Sequence, residues 1–298
     1  MIGFLHTRAP EGYLPYLSAF HKALGDAGFV EGRTLAVEYR WANGQYDRLP
    51  EMAADLVARK VNVLVAGGGE PSPLAAKAAT STVPIVFVMG SDPVKAGLVA
   101  SYNRPGGNVT GINILTDLLE PKRLGLLHEL VPQATTIGYL FNPRFASAEI
   151  QLRDVREAAR ALALIIRAVP VSTEQEIDRA FEMIAQERRL ALAVGADPFL
   201  DTQRDRMIEL AARHAVPTTY QFREHAAAGG LMSYGIDLYD VWRQVGLYTV
   251  RLLKGEKPTE LPVQQPTKFE LVINLKTARA LGLEVPPTLL SRADEVIE

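Results

Sequence analysis

Short apolar runs of strand length alternate with amphipathic helical stretches along most of this chain, and that alternation leaves few folds open. Ile2–Leu5 precedes a predicted helix over Tyr13–Ala27, closed by Gly28; Leu35–Tyr39 precedes Leu49–Arg59, and Val61–Ala66 precedes Leu74–Thr80. Ile85–Val88 then runs into the loop Met89–Pro93. A Gly/Pro-rich stretch, Arg104–Gly111, interrupts the pattern, which restarts with helix Asp117–Val131, strand Thr136–Phe141, helix Ala146–Leu162 and strand Leu164–Val169. Helix Thr173–Arg188, strand Leu190–Val194, helix Thr202–His214 and strand Val216–Tyr220 follow. Continuously apolar strands are buried on both faces, which calls for parallel sheets covered by helices. Right-handed crossovers then leave mainly doubly wound topologies.

Two such series in 298 residues predict two α/β lobes, at roughly 100–200 residues per domain. Toward the end, Asp237–Lys254 reads as a helix stopped by Gly255, and Pro258–Lys268 as an extended, proline-rich segment. Glu270–Asn274 is one more strand, with a helix over Leu275–Leu281. The extended segment is read as a connection between lobes, a flexible linker being the alternative.

Composition removes several classes of function. With 32 basic and 34 acidic side chains the formal net charge is −2, so there is no basic field for gripping phosphate backbones. No cysteine is present, which removes disulfides, thiolate nucleophiles and sulfur-ligated metals. No apolar run reaches the ~20 residues that span a bilayer. Met1–Leu5 already reads as a strand with no basic or apolar leader before it, so the chain is expected to be cytoplasmic or to have lost an export signal.

In open α/β sheets ligands bind beyond the carboxyl ends of strands. The first loop there is His6–Tyr13. The second, Gly67–Pro73, has three glycines for close backbone approach and Ser72 at the expected helix start, either as N-cap or as ligand contact. The third, Gly90–Val94, places Ser91 and Asp92 before Pro93, a helix-entry pattern. The second series offers Asn142–Pro143, Asp197–Pro198 and Gln221–Phe222. Tyr234–Asp237 lies at the expected return to the first lobe, where Asp237 would hold a ligand ammonium or cap the following helix. The Walker ending GK[ST], G-x-G-x-x-G, G-x-S-x-G and H-E-x-x-H are all absent, so no catalytic residue, metal site or cofactor is assigned.

Three blocks carry a family resemblance: SDPVKAGLVASYNRPGGNVTGI (Ser91–Ile112), LPVQQPTKFELVINLKTARALGLEVP (Leu261–Pro286), and the shorter FNPRFASAE (Phe141–Glu149), ADP (Ala196–Pro198) and YGIDLYD (Tyr234–Asp240) set. They resemble the ABC-transporter substrate-binding family that includes tryptophan- and tyrosine-binding lipoproteins. That resemblance implies a type I periplasmic binding protein: two Rossmann-like lobes joined by three crossings, residues 1–113 with 235–264 and residues 114–234 with 265–298. It implies that Ser72, Gly90 or Ser91, and Asp92 hold a ligand carboxylate, that Asp237 receives an ammonium, and that Asn142 and Asp197 close from the second lobe. Tyr13, Phe145, Phe199, Tyr220, Phe222 and Tyr234 would pack against an aromatic or apolar side chain. Glu70 departs from the family pattern by adding a negative charge beside the expected carboxylate site.

The resulting expectation is a non-catalytic receptor for an amino acid, aromatic or otherwise, or for a related carboxylate, acting by hinge closure and partnered by a membrane permease. It would be an extracytoplasmic monomer that binds no nucleic acid. The alternatives are the ligand-sensing core of a transcription regulator of the same fold, and a two-lobed α/β enzyme.

Overall fold

A computed structural model describes residues 1–10, 13–187 and 189–298. Glu11 and Gly12 of the first loop, and Arg188 at the end of a predicted helix, lie outside the described residues. The chain divides into two compact units, Met1–Leu115 with Leu238–Thr267 and Thr116–Asp237 with Lys268–Glu298. The chain therefore passes between units after Leu115, Asp237 and Thr267.

The first unit is a five-stranded parallel sheet of β1 (Ile2–His6), β2 (Val37–Trp41), β3 (Val63–Gly67), β4 (Ile85–Met89) and β5 (Val109–Asn113), in the order β2-β1-β3-β4-β5. β1, β3, β4 and β5 are buried along their whole length, as continuous apolar runs require. Helix α1 (Leu14–Asp26) buries Tyr16, Leu17, Phe20, Ala23 and Leu24, one stripe at helical spacing. It packs on α10 (Leu238–Leu253) so closely that a Cβ on Gly246 would stand 2.7 Å from the Ala23 Cβ. Helices α2 (Leu49–Ala58) and α3 (Pro71–Ala79) cover the sheet around a core that includes Leu5, Leu56, Leu64, Phe87 and Met89.

The second unit repeats this winding. Its strands β6 (Thr136–Phe141), β7 (Ile165–Pro170), β8 (Leu190–Val194), β9 (Thr218–Tyr220) and β10 (Met232–Ile236) lie in the order β7-β6-β8-β9-β10. β11 (Phe269–Asn274) joins β10 antiparallel and β12 (Glu295–Ile297) extends the edge, so the sheet is not wholly parallel. The unit's helices are α4 (Glu120–Leu130), α5 (Ala148–Ala161), α6 (Glu174–Ala185), α7 (Pro198–Thr202), α8 (Arg204–Arg213), α9 (Arg223–Ala227), α11 (Leu275–Ala280) and α12 (Pro287–Leu290).

Three strands escape a hydrophobicity reading: β12, only three residues long at the sheet edge, and two others for a packing reason. β5 lies in the glycine-rich stretch because it needs Gly111: a Cβ there, at φ +159°, would stand 2.2 Å from the Phe87 carbonyl oxygen. β10 contains Tyr234 and Gly235, where a Cβ would stand 1.8 Å from the Gln221 carbonyl oxygen. Close backbone approach selected glycine in both, at the cost of the apolar signature of a strand.

Candidate functional site

In each unit the strand order reverses beside the first strand, between β1 and β3 and between β6 and β8. The crevice at the carboxyl ends of such a pair is where open α/β sheets bind ligands. The two crevices are built differently.

In the first unit, β1 ends in His6 and β3 in Gly67, followed by a loop of unusual backbone. Gly68 and Gly69 hold φ at +86° and +97°. Thr7 Oγ1 donates to the Gly68 carbonyl at 2.5 Å, and a Cβ on Gly68 would stand 2.2 Å from Thr7 Oγ1. Only glycine allows this closure. His6 is fully buried, its ring 4.2 Å from Tyr13 and 5.2 Å from Trp41 between centroids. Its Nδ1 accepts the Arg8 backbone N–H at 3.1 Å, which leaves the ring proton on Nε2. Burial, and next the Arg8 charge, hold its pKa well below the usual histidine range, so the ring is neutral. The Arg8 guanidinium lies over the Tyr13 ring, 5.5 Å from its centroid. Tyr13 is itself buried and also meets Trp242 edge-on at 5.5 Å.

Ser72 is buried at the second position of α3, and Glu70, not Ser72, is the N-cap residue. Because α3 begins at Pro71, three residues earlier than its apolar pattern indicates, the Ser72 hydroxyl faces β1 and donates to the Leu5 carbonyl at 3.3 Å. Glu70 accepts from Ser91 Oγ at 2.7 Å, joining the loops after β3 and β4. Gly90 is half-buried at the end of β4. Asp92 Oδ1 accepts from the Val94 and Lys95 amides, at 2.9 and 3.3 Å. Those bonds close a turn and no helix starts there, which corrects the helix-entry reading of the Asp–Pro pair.

In the second unit, Asn142 follows β6 and Asp197 follows β8, both buried, with Asn142 Nδ2 donating to Asp197 Oδ2 at 3.2 Å. Asp197 Oδ1 caps α7 by accepting the Leu200 N–H at 2.9 Å, and Asn142 Oδ1 accepts the Arg144 N–H at 3.0 Å. After β9, Gln221 Nε2 donates to Asp201 Oδ1, and His225 Nε2 stands 3.8 Å from the same oxygen. Buried Phe222 precedes α9. Tyr234 lies within β10, its ring stacked on Phe269 at 6.4 Å, so it is a strand residue and not part of a loop. Asp237 directly precedes α10, and its charge adds to the hydrogen bond and charge of Glu270 that raise the Lys268 pKa.

Tyr13, Ser72, Gly90, Ser91 and Asp92 thus belong to the first unit, and Asn142, Asp197, Phe222, Tyr234 and Asp237 to the second. The pattern reading named the Gln221–Phe222 pair and the His6–Tyr13 loop, did not single out Thr7 or Arg8 within that loop, and passed over Asp201. Arg8 has a legible signal, a cation two residues beyond a buried strand; Asp201 has none, since an acid inside a short helix looks solvent-facing. Among the described residues no group of three or more His, Asp or Glu is placed to hold a metal ion, and no helix is long and apolar enough to cross a membrane.

A family model described as "ABC transporter substrate binding protein" matches residues 11–297. The chain belongs to this family. A tyrosine-binding protein of Clostridioides difficile is 27% identical over 265 residues, 89% of this chain and 76% of that protein. A conserved domain protein from Vibrio cholerae superposes with a TM-score of 0.90 at 26% identity, covering 99% of this chain and 98% of its own. The ABC domain from Streptococcus pneumonia in complex with L-Trp superposes at 0.86 and 24% identity, with 99% of each chain covered. The fold is that of the type I periplasmic binding proteins.

Proposed function

We propose that this protein is the extracytoplasmic receptor of an ABC importer, capturing an amino acid with an aromatic side chain in the crevices of its two units. The observation that carries the reading is the Arg8 guanidinium at the first crevice together with an aspartate just beyond β8 of the second unit. The first crevice presents the Arg8 guanidinium over an aromatic wall of Tyr13, Trp41 and Trp242. The second unit carries Asp197 just beyond β8, Asp201 in α7 and Asp237 just beyond β10. A guanidinium suits a carboxylate and an aspartate suits an ammonium, which together describe a zwitterion. The tyrosine- and L-Trp-binding relatives support the same class. The Gly90 backbone joins Arg8 at the carboxylate, while Ser91, whose proton goes to Glu70, and Ser72, whose proton goes to Leu5, accept but do not donate. Phe222 and Tyr13 contact the side chain. Contacts made by both units exist only when they close on the ligand, so binding shifts an open–closed population that a permease then reads.

Calorimetric titration with L-tyrosine and L-tryptophan tests this. Arg8→Gln and Asp197→Ala should each weaken binding by about 2–4 kcal/mol. Tryptamine and indole-3-propionate, each lacking one charge, should bind at least tenfold more weakly than L-tryptophan. Absence of heat with both amino acids, or unchanged affinity in both variants, would overturn the proposal.

A further inference from the structure

Beneath the Asn142–Asp197 pair lies a set of buried polar side chains that none of the roles above uses. Glu120 and Arg123 come from α4, Tyr139 from β6 and Gln151 from α5, and each is at most 3% exposed. Glu120 and Gln151 converge on the backbone of Ala196. Glu120 Oε1 accepts the Ala196 N–H at 2.8 Å, and Gln151 Nε2 donates to the Ala196 carbonyl at 2.9 Å. Tyr139 Oη donates to the other Glu120 oxygen and lies 3.5 Å from Gln151 Oε1. Gly195 makes room for that hydroxyl, since a Cβ there would stand 2.8 Å from it.

The remaining bonds of the same side chains all run to one other place, the turn of residues 116–119 that opens the second unit. Gln151 Nε2 donates to Asp117 Oδ1 at 3.1 Å, and Arg123 Nη2 donates to the Thr116 carbonyl at 3.2 Å while standing 3.4 Å from Glu120. Leu115, just before the turn, holds the left-handed φ of +56°, its N–H accepted by Asn113 Oδ1 at 3.0 Å. A strained leucine persists only where its surroundings over-determine it. Arg123 Nη1 is buried without a hydrogen-bond partner among the described residues, so the cluster is not optimised for stability. Replacing such an ion pair by apolar side chains is often neutral or stabilising, which leaves specification of geometry as its use.

We infer that Glu120 and Gln151 are positioning residues: they hold the two peptide groups flanking the Ala196 Cα, one by its N–H and the other by its carbonyl, set the direction of Asp197, and tie that loop to the first passage between units. The inference rests on the proposed binding role of Asp197 for its functional meaning, but its geometry is tested without ligand.

Hydrogen exchange on the ligand-free protein reads both ends of the strut. Gln151→Leu should speed exchange about tenfold in the peptides covering residues 113–120 and 194–201 alike, with residues 136–141 unchanged. Glu120→Ala should do the same, and Glu120→Gln, which keeps an acceptor for Ala196 N–H, should restore most of the protection at 194–201. Should either buried variant fail to fold, Asp117→Ala, in the half-buried turn, should still speed exchange at 194–201. Faster exchange at one end alone, no change at either, or uniform acceleration across the unit would overturn the inference. Calorimetry with L-tryptophan on Asp197→Ala judges the binding role separately, so the two readings fail independently.

Discussion

The two units share one strand order yet support their crevices in opposite ways. Under the β1–β3 crevice lie rings: Phe4 stacks on His6 at 5.9 Å and meets Phe20, Tyr39, Trp41 and Trp242 between 5.3 and 6.0 Å. Under the β6–β8 crevice lies the Glu120–Arg123–Tyr139–Gln151 cluster. Winding decides where a crevice forms, because it sets where adjacent crossovers diverge. It leaves open whether the floor is apolar or polar. An apolar floor is forgiving in direction and rigid in volume; a polar one is rigid in direction and costly to break.

The largest expected effect separates the floors directly. Arg123→Ala leaves Glu120 buried without its cation and should cost about 3–5 kcal/mol. The two tryptophans, Trp41 and Trp242, both belong to the first unit. Urea unfolding followed by far-ultraviolet circular dichroism should therefore shift more than the tryptophan fluorescence transition. Coincident shifts would mean that the units unfold as one and would blunt the comparison.

A smaller effect belongs to the first unit. His6 is neutral when folded, its pKa lowered chiefly by burial, whereas in the unfolded chain it titrates near 6.5. Below about pH 6.5 the unfolded state binds a proton that the native state does not, so stability falls with acidification, by up to about 1.4 kcal/mol per pH unit. His6→Gln should flatten that slope in fluorescence-detected unfolding between pH 7.5 and 5. An unchanged slope would assign the acid sensitivity elsewhere.

The smallest effect is local to the second unit. Thr173 caps α6 in a reciprocal box, accepting the Glu176 N–H at 3.2 Å while Glu176 accepts the Thr173 N–H at 3.2 Å. Thr173→Ala should cost about 1 kcal/mol and move the circular dichroism transition without moving the fluorescence one.

Much of this molecule could be read from residue pattern. The buried strands, the two α/β series and the loops holding Ser91, Asn142 and Asp197 follow from apolar periodicity and from turn residues just beyond each strand. The start of α3 did not, because Pro71 and Ser72 read as loop although Pro fits a first helical turn. That reading left Ser72 as either a cap or a ligand contact, whereas its hydroxyl donates to Leu5. β5 and β10 were hidden because close packing there demands glycine.

The sequence by itself determined the class of fold, for hydrophobic period is a local property, expressed within a turn or two of chain. Only the tertiary structure decided which polar residues share a site. Glu120, Arg123 and Gln151 carry no local mark that separates them from solvated helix charges. Glu120 meets Ala196 across 76 positions and Gln151 meets it across 45, separations at which side-chain pairing depends on how the layers pack.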